Sequence, residues 1–186
     1  PNHKEFGYVH KGFMDALDHV WNEFFNDRLW INIKEYVSQI KHPLFYTGHS
    51  LGGALATLAG IQFPPQAVYT FGAPRVATEA FKKHYSKFPL YRLVNHLDSI
   101  PTVPPEKPFS YTHLGDLYYI TREGKILLNP SAQDLEGQAP TFSTITRYFK
   151  SIQAWFQPNP YLSDHAPINY VAHLQNYLAS QTTSLT

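Results

Sequence analysis

A serine lies within a pentapeptide whose residue types suit nucleophilic catalysis: Gly48, His49, Ser50, Leu51 and Gly52 match the pattern G-x-S-x-G. Such a pattern is typical of a sharp turn between a strand and a helix that lifts the serine hydroxyl out of the chain, with glycines flanking the turn because Cβ atoms would crowd it. We interpret Ser50 as a candidate nucleophile, with Gly48, His49 and Gly52 as its nucleophile elbow. The backbone amide of Leu51, at the start of the following helix, is then a candidate oxyanion-hole donor. The competing interpretation is a tight turn packed against a helix of small residues.

A serine hydroxyl becomes a good nucleophile when a histidine accepts its proton and a carboxylate orients that histidine. In a strand–helix architecture the three follow in the order serine, acid, histidine. Asp98 directly follows a predicted strand and is our candidate acid, with a turn or helix-capping aspartate as the alternative. Three histidines come after it, and we favour His165, which lies in the loop before the last predicted helix and could otherwise cap that helix. For His113, inside an apparent strand, we expect a buried structural hydrogen bond, and for His173 a place on a helix face.

The elements that must position these residues are indicated by alternating short apolar runs and helical patterns. Short apolar runs bounded by turn residues predict buried strands, and they occur at 44–46, 67–71 and 90–94. Helical patterns lie between them at 51–59 and about 77–88. This order predicts a mostly parallel sheet flanked by helices, with a site beyond the carboxyl ends of its strands.

The rest of the chain predicts further helices and one hairpin. Apolar residues at three- and four-residue spacing indicate amphipathic helices at 13–25 and 29–40. We expect a hairpin over 113–128 and a last helix over 167–178. Residues 134–160 form an excursion whose aromatic helical pattern at 142–156 could cover a lipid-facing site or pack on the body of the protein.

Composition narrows the class of protein. The 186 residues predict a single domain over 1–186 with a core of its own, and there is no cysteine for disulfide or thiolate chemistry. Because 15 basic and 14 acidic side chains nearly balance, the charge offers no electrostatic case for a nucleic-acid partner. No signal peptide or transmembrane segment is recognisable, and the absence of cysteine is compatible with either a reducing compartment or secretion, so the sequence leaves localisation open. We found no metal-binding or cofactor motif, and serine hydrolysis requires neither.

Several segments, in order, resemble the class 3 lipase family of α/β-hydrolases, the fungal triacylglycerol lipase type. They read VHKGFMDAL at 9–17, FYTGHSLGGALATLAG at 45–60, VYTFGAPRV at 68–76, YRLVNHLDSIPTVPP at 91–105, YTHLGDLYYI at 111–120 and DHAPINYV at 164–171. The resemblance implies an α/β-hydrolase fold, Ser50 as nucleophile, Asp98 as orienting acid and His165 as general base. It implies a lipid ester substrate and transient contact with a lipid interface. The alternative is a lipase-like binding protein with little or no turnover.

The sequence departs from the family pattern at its beginning. Members of the family carry an earlier strand with an R-G-T-like motif that supplies the second oxyanion donor, followed by a lid, and neither precedes PNHKEFGYVH here. We therefore expect a sheet that is incomplete at its N-terminal strands, as in a fragment of a longer protein. The missing strands would then come from an absent segment or from another chain.

Overall fold

The described fold is built around a five-stranded sheet with helices packed against it. A computed structural model describes residues 7–26, 31–85, 88–135 and 163–183. The strands are β1 (Phe24–Asn26), β2 (Ile31–Asn32), β3 (Phe45–His49), β4 (Ala67–Phe71), β5 (Ala77–Thr78), β6 (Leu90–Asn95), β7 (Tyr111–Thr112), β8 (Asp116–Ile120) and β9 (Ile126–Leu128). The α-helices are α1 (Lys11–Asn22), α2 (Ile33–Ser38), α3 (Leu51–Gln62), α4 (Glu79–Lys82) and α5 (Pro167–Thr183).

The main sheet has the strand order β3-β4-β6-β8-β9. Neighbouring strands from β3 through β8 pair in parallel, and β9 returns antiparallel to β8. The predicted mostly parallel sheet and the predicted hairpin are therefore confirmed. Since the carboxyl ends of β3, β4 and β6 meet at one edge, the residues that follow these strands are brought close together.

Helix α3 packs on β3 and β4, and α1 packs against α3, with one hydrophobic core shared by these elements. Helix α3 consists almost entirely of small and apolar residues, as expected of a largely buried helix, and its Ala54 and Leu58 have no exposed surface. Leu17 and Trp21 of α1 pack into the same cluster, which includes Val68 of β4. The small residues of α3 let it approach the sheet closely, so the turn that joins β3 to α3 is supported from both sides.

Two helical predictions were wrong in extent. The pattern at 13–25 becomes helix only to Asn22, because the chain turns extended at Glu23 (φ −64°, ψ 138°) and continues into β1. Most of the pattern at 77–88 is not helical either. Ala77 and Thr78 instead pair with β7, and α4 spans four residues.

Two more predictions have mixed outcomes. Of the pattern at 29–40, the structure shows the short strand β2 and then α2, which begins at an Asn32 cap. The last helix is confirmed and extends to Thr183. The predicted helical pattern at 142–156 lies outside the described residues.

Candidate active site

Ser50 occupies the turn between β3 and α3 in a strained backbone conformation. Its φ of 54° and ψ of −125° are unusual for a residue with a side chain, at a cost of about 1–3 kcal/mol. The turn is held by hydrogen bonds on both sides. The Ser50 amide donates to the Phe71 carbonyl at 2.9 Å, and the amides of Gly53 and Ala54 donate to the Ser50 carbonyl at 3.0 and 3.2 Å. The serine is thus fixed at the carboxyl edge of the sheet, where the sequence predicted it.

The glycines of the elbow differ in what they contribute. A Cβ at Gly48 would overlap the backbone of Gly52, so position 48 requires glycine. The same steric argument is wrong for Gly52, where an added Cβ would meet nothing within 4 Å. The crowded position is Gly53, whose Cβ would lie 2.7 Å from that of Ala73 and 2.9 Å from the Gly48 carbonyl oxygen. Close packing of the turn on the sheet therefore depends on Gly48 and Gly53.

Asp98 is buried at the end of the loop that follows β6, with 1% of its surface exposed. Three donors point at its carboxylate: Nδ1 of His165 at 2.9 and 3.0 Å from the two oxygens, the Tyr170 hydroxyl at 2.6 Å, and the Ile100 amide at 2.9 Å. A buried carboxylate is tolerated when its oxygens are hydrogen-bonded in this way. The carboxylate accepts a hydrogen bond from Nδ1, so in a neutral His165 the proton is on Nδ1. Nε2 is then the basic nitrogen.

Tyr170 was not singled out by sequence reasoning, although the quoted segment DHAPINYV contains it. Its side chain is 2% exposed. Its hydroxyl donates to Asp98 and accepts from the Asn95 amide at 3.1 Å. Burial and the nearby Asp98 carboxylate raise the pKa of Tyr170, so the hydroxyl stays protonated and remains a donor. The position of Tyr170 five residues after His165 does not by itself indicate a contact with Asp98, because only the fold brings these two side chains together.

Gly72, the residue after β4, leaves the space in which these side chains meet. Its φ is 58°, in the left-handed region that favours glycine. A Cβ there would overlap an Asp98 carboxylate oxygen and lie 2.9 Å from His165 Nδ1 and 3.0 Å from the Tyr170 hydroxyl. The absence of a side chain at position 72 is therefore required for this constellation.

Asp164 fastens the candidate base loop, which carries His165, to the segment that carries Asp98. A carboxylate oxygen of Asp164 accepts from the Leu97 amide at 2.9 Å and lies 3.4 Å from His96 Nδ1. The Asp164 carbonyl accepts from the Asn95 side-chain amide at 3.0 Å. These contacts fix the candidate base loop against the segment that carries the candidate acid.

His49 links the Ser50 turn to the candidate base loop. His49 Nε2 lies 2.6 Å from the His165 carbonyl oxygen, and the two imidazole rings are 4.4 Å apart between centroids. Within the parts of the chain that the structure describes, no hydrogen bond joins the Ser50 hydroxyl to His165. The structure thus brings Asp98 and His165 into direct contact, with the Ser50 turn adjacent through His49.

The two other histidines considered as bases lie elsewhere. His113 Nε2 lies 2.7 Å from the Pro101 carbonyl oxygen, the structural hydrogen bond that we expected. Burial, with the Arg92 and Arg75 guanidiniums, lowers the pKa of His113 well below its ordinary value, so this ring stays neutral. His173 is partly buried on α5, near the β8–β9 turn at Gly124.

The amide of Leu51 begins α3. The first amides of a helix have no partner within the helix, and the helix dipole adds positive potential at this end. The Leu51 amide therefore stays our candidate donor to an oxyanion formed beside Ser50. The Leu51 side chain itself is 48% exposed.

Among the residues described, no helix has both the length and the apolar composition to cross a bilayer.

Comparison with known proteins points to one family. The model of the family "Lipase (class 3)" matches residues 1–107. A lipase of Rhizomucor miehei is 35% identical over 139 residues, which cover 69% of this chain and 37% of that lipase. The chain therefore matches little more than a third of that relative's length.

Two solved structures support the same fold. A fungal lipase in complex with an inhibitor, described as a model for interfacial activation, has a TM-score of 0.54 at 29% identity and covers 74% of this chain and 53% of that one. A triacylglycerol lipase whose catalytic centre is a serine-protease triad has a TM-score of 0.51 at 32% identity, over 64% and 48% of the two chains. With the family match over more than half of its residues, this chain belongs to the class 3 lipase family and has its α/β-hydrolase fold.

Proposed function

We propose that this chain carries the nucleophile, base and acid of a serine carboxylester hydrolase acting on lipid esters. One observation carries the proposal: buried Asp98 holds His165 through Nδ1, beside a strained turn that presents Ser50. A carboxylate that accepts from Nδ1 fixes the tautomer in which Nε2 can remove a serine proton. The buried donors around Asp98 keep this arrangement in place while charge develops on the imidazole.

The proposed reaction has two halves. His165 Nε2 takes the Ser50 proton as the hydroxyl oxygen attacks the ester carbonyl, and the Leu51 amide stabilises the resulting oxyanion. Collapse of this tetrahedral intermediate breaks the carbon–oxygen bond of the ester, and the imidazolium gives its proton to the leaving alcohol. A water then attacks the acyl-Ser50 with His165 as its base, which releases the carboxylic acid and restores the serine.

The similarity to known lipases supports this proposal, which is argued from the geometry of the site. The Rhizomucor miehei relative is a lipase, and the similar solved structure that has a serine-protease triad is a triacylglycerol lipase. Members of a fold can lose activity, so the function depends on the site residues of this chain. Those residues occur in the chain order that an α/β-hydrolase requires.

The proposal is tested with a fluorophosphonate probe, which labels activated serines. We expect the full-length protein to be labelled at Ser50, and Ser50→Ala to abolish both the labelling and the hydrolysis of p-nitrophenyl esters. Labelling at another residue would refute the assignment. Absence of labelling, with no turnover across a range of acyl lengths, would instead favour a lipase-like binding protein.

We also propose a transient contact with a lipid surface. Two exposed apolar side chains lie next to the site residues in sequence: Leu51, 48% exposed, follows Ser50, and Ile168, 68% exposed, comes three residues after His165. If these side chains touch lipid, Ile168→Ser should reduce turnover of emulsified esters while leaving turnover of a dissolved short-chain ester unchanged. Equal losses on both substrates would contradict the contact.

A further inference from the structure

His49 links the nucleophile turn to the loop of the candidate base. Its Nε2 lies 2.6 Å from the His165 carbonyl oxygen, across 116 positions of sequence. A carbonyl oxygen can only accept, so Nε2 must carry a proton and donate. His49 directly precedes Ser50, whose amide is fixed to Phe71 in β4. This hydrogen bond therefore connects a rigid part of the sheet to the backbone of His165.

The base loop is held from two directions. On the acid side, the Asn95 side chain and the Leu97 amide bond to Asp164, and Asp98 bonds to the ring of His165. These contacts orient the imidazole toward the acid but leave its distance from the serine unspecified. On the nucleophile side, His49 supplies a hydrogen bond to the loop's main chain.

We infer that His49 is a positioning residue that sets the separation between Ser50 and His165. The inference rests on the proposed function, since it assigns the second residue of the G-x-S-x-G pattern a role in serine–base geometry. His49 does not act as a base in this arrangement, because the nitrogen that faces the loop is already protonated. Its ring also lies 4.4 Å from the ring of His165, so ring contact and hydrogen bond must be tested separately.

Two variants separate the hydrogen bond from the ring contact. In His49→Gln the amide nitrogen is the same number of bonds from Cα as Nε2, so the donor is kept while the ring is lost. His49→Phe keeps a ring and loses the donor. Since a misplacement of 1 Å can cost about 100-fold in rate, we expect His49→Phe to lower kcat about 10- to 100-fold with little change in KM. We expect His49→Gln to retain kcat within about threefold of the wild type.

The rate of fluorophosphonate labelling gives the same comparison without substrate binding. If the donor sets the geometry, the Phe variant is labelled slowly and the Gln variant at close to the wild-type rate, with both retaining the wild-type melting temperature within a few degrees. A Gln variant as slow as the Phe variant, or a Phe variant as fast as the wild type, would overturn the inference. If the wild type is not labelled at Ser50 at all, the proposed function itself is refuted.

Nitrogen-15 spectroscopy of the histidine rings tests the hydrogen bond independently of activity. We expect the resonance that disappears in the His49 variants to report a ring protonated at Nε2, with a proton that exchanges slowly with water. A ring without a proton on Nε2, or an Nε2 proton in fast exchange with water, would show that the link to the His165 carbonyl does not form in solution, and the positioning role would fail whatever the rates.

Discussion

Gly72 gives the sharpest test of how the candidate site is assembled, because an added methyl group would enter the space between acid and base. In Gly72→Ala the new Cβ would overlap an Asp98 carboxylate oxygen and lie 2.9 Å from His165 Nδ1. Ordinary contacts of a Cβ begin at 3.4 Å, so the imidazole must move by about half an ångström and the carboxylate by more. With a 1 Å misplacement worth about 100-fold in rate, we expect kcat to fall roughly 10- to 100-fold.

The same substitution also affects stability. Alanine at a φ of 58° costs about 1–2 kcal/mol. The overlap with the side chains around it adds about 1–3 kcal/mol. For a domain of this size each kcal/mol lowers the melting temperature by about 2–4 °C, so we expect a decrease of about 4–20 °C in total. Kinetics measured well below that temperature then report geometry in folded protein. The measurements are kcat and KM on a dissolved ester, together with thermal unfolding by circular dichroism.

Gly52→Ala is the matched control, because it makes the same chemical change two residues after the serine. The added Cβ would meet nothing within 4 Å, and alanine is favoured over glycine in a helix by about 1 kcal/mol. We expect no loss of thermal stability in this variant. If Gly72→Ala kept the wild-type kcat, the reasoning that the Asp98–His165 contact depends on an empty position 72 would be refuted.

Three further outcomes follow from the contacts. Tyr170→Phe removes a donor from a buried carboxylate, an interaction that contributes about 1.5–3 kcal/mol. We expect the unfolding free energy measured in urea to fall by this amount and kcat to be lower. An unchanged unfolding free energy would contradict the role of the hydroxyl. Gly53→Ala should destabilise the protein by about 1–3 kcal/mol, because the added Cβ would overlap Ala73. Chemical denaturation measures this difference. Stability equal to that of the wild type would show that the turn can relax. Burial and two arginines lower the pKa of His113, so in acid the unfolded chain binds a proton there that the folded protein does not. As the pH is lowered from about 6.5, the unfolding free energy should therefore decrease, by at most about 1.4 kcal/mol per pH unit. His113→Gln should flatten this decrease, and an identical pH dependence in that variant would contradict the assignment.

The sheet was predictable because its strands have a recognisable pattern in the local sequence. The runs at 67–71 and 90–94 are short, apolar and followed by turn residues, and the structure places β4 and β6 there. Helix limits were less predictable, because an apolar period does not encode where a helix stops. At the end of α1 the Asn22 side chain donates to the Asp18 carbonyl, and the backbone then leaves the helix at Glu23.

Long-range pairing explains the other error in the fold. Ala77 and Thr78 have no local signal for a strand, but they pair with Tyr111 and Thr112, more than 30 residues away. The Thr78 amide also donates to the Tyr8 carbonyl. Such contacts override local helical preference, since they satisfy backbone groups that a helix would satisfy otherwise.

In the candidate site, too, some residues were predictable from the local sequence, whereas their partners come from distant parts of the chain. Asp98 and His165 could be proposed from chain order and loop placement, and the structure brings them into contact. The partners that hold them were not predictable, because Tyr170 reaches Asp98 across 72 residues and His49 reaches His165 across 116. Only the fold makes these residues neighbours.

Glycines illustrate why residue type alone is an ambiguous signal. In the sequence, Gly48, Gly52 and Gly72 all mark turns after apolar runs, and any of them could be required for backbone freedom or for space. The structure separates these demands: position 48 lacks room because of neighbouring backbone, position 52 has room to spare, and position 72 lacks room because of the candidate acid and base. A glycine whose missing side chain makes space for Asp98 and His165 belongs to the geometry of the proposed reaction, although it donates nothing and touches no substrate. The pattern G-x-S-x-G therefore captures only part of the glycine requirement of this site, because Gly72 directly follows the neighbouring strand β4, 22 positions after the serine.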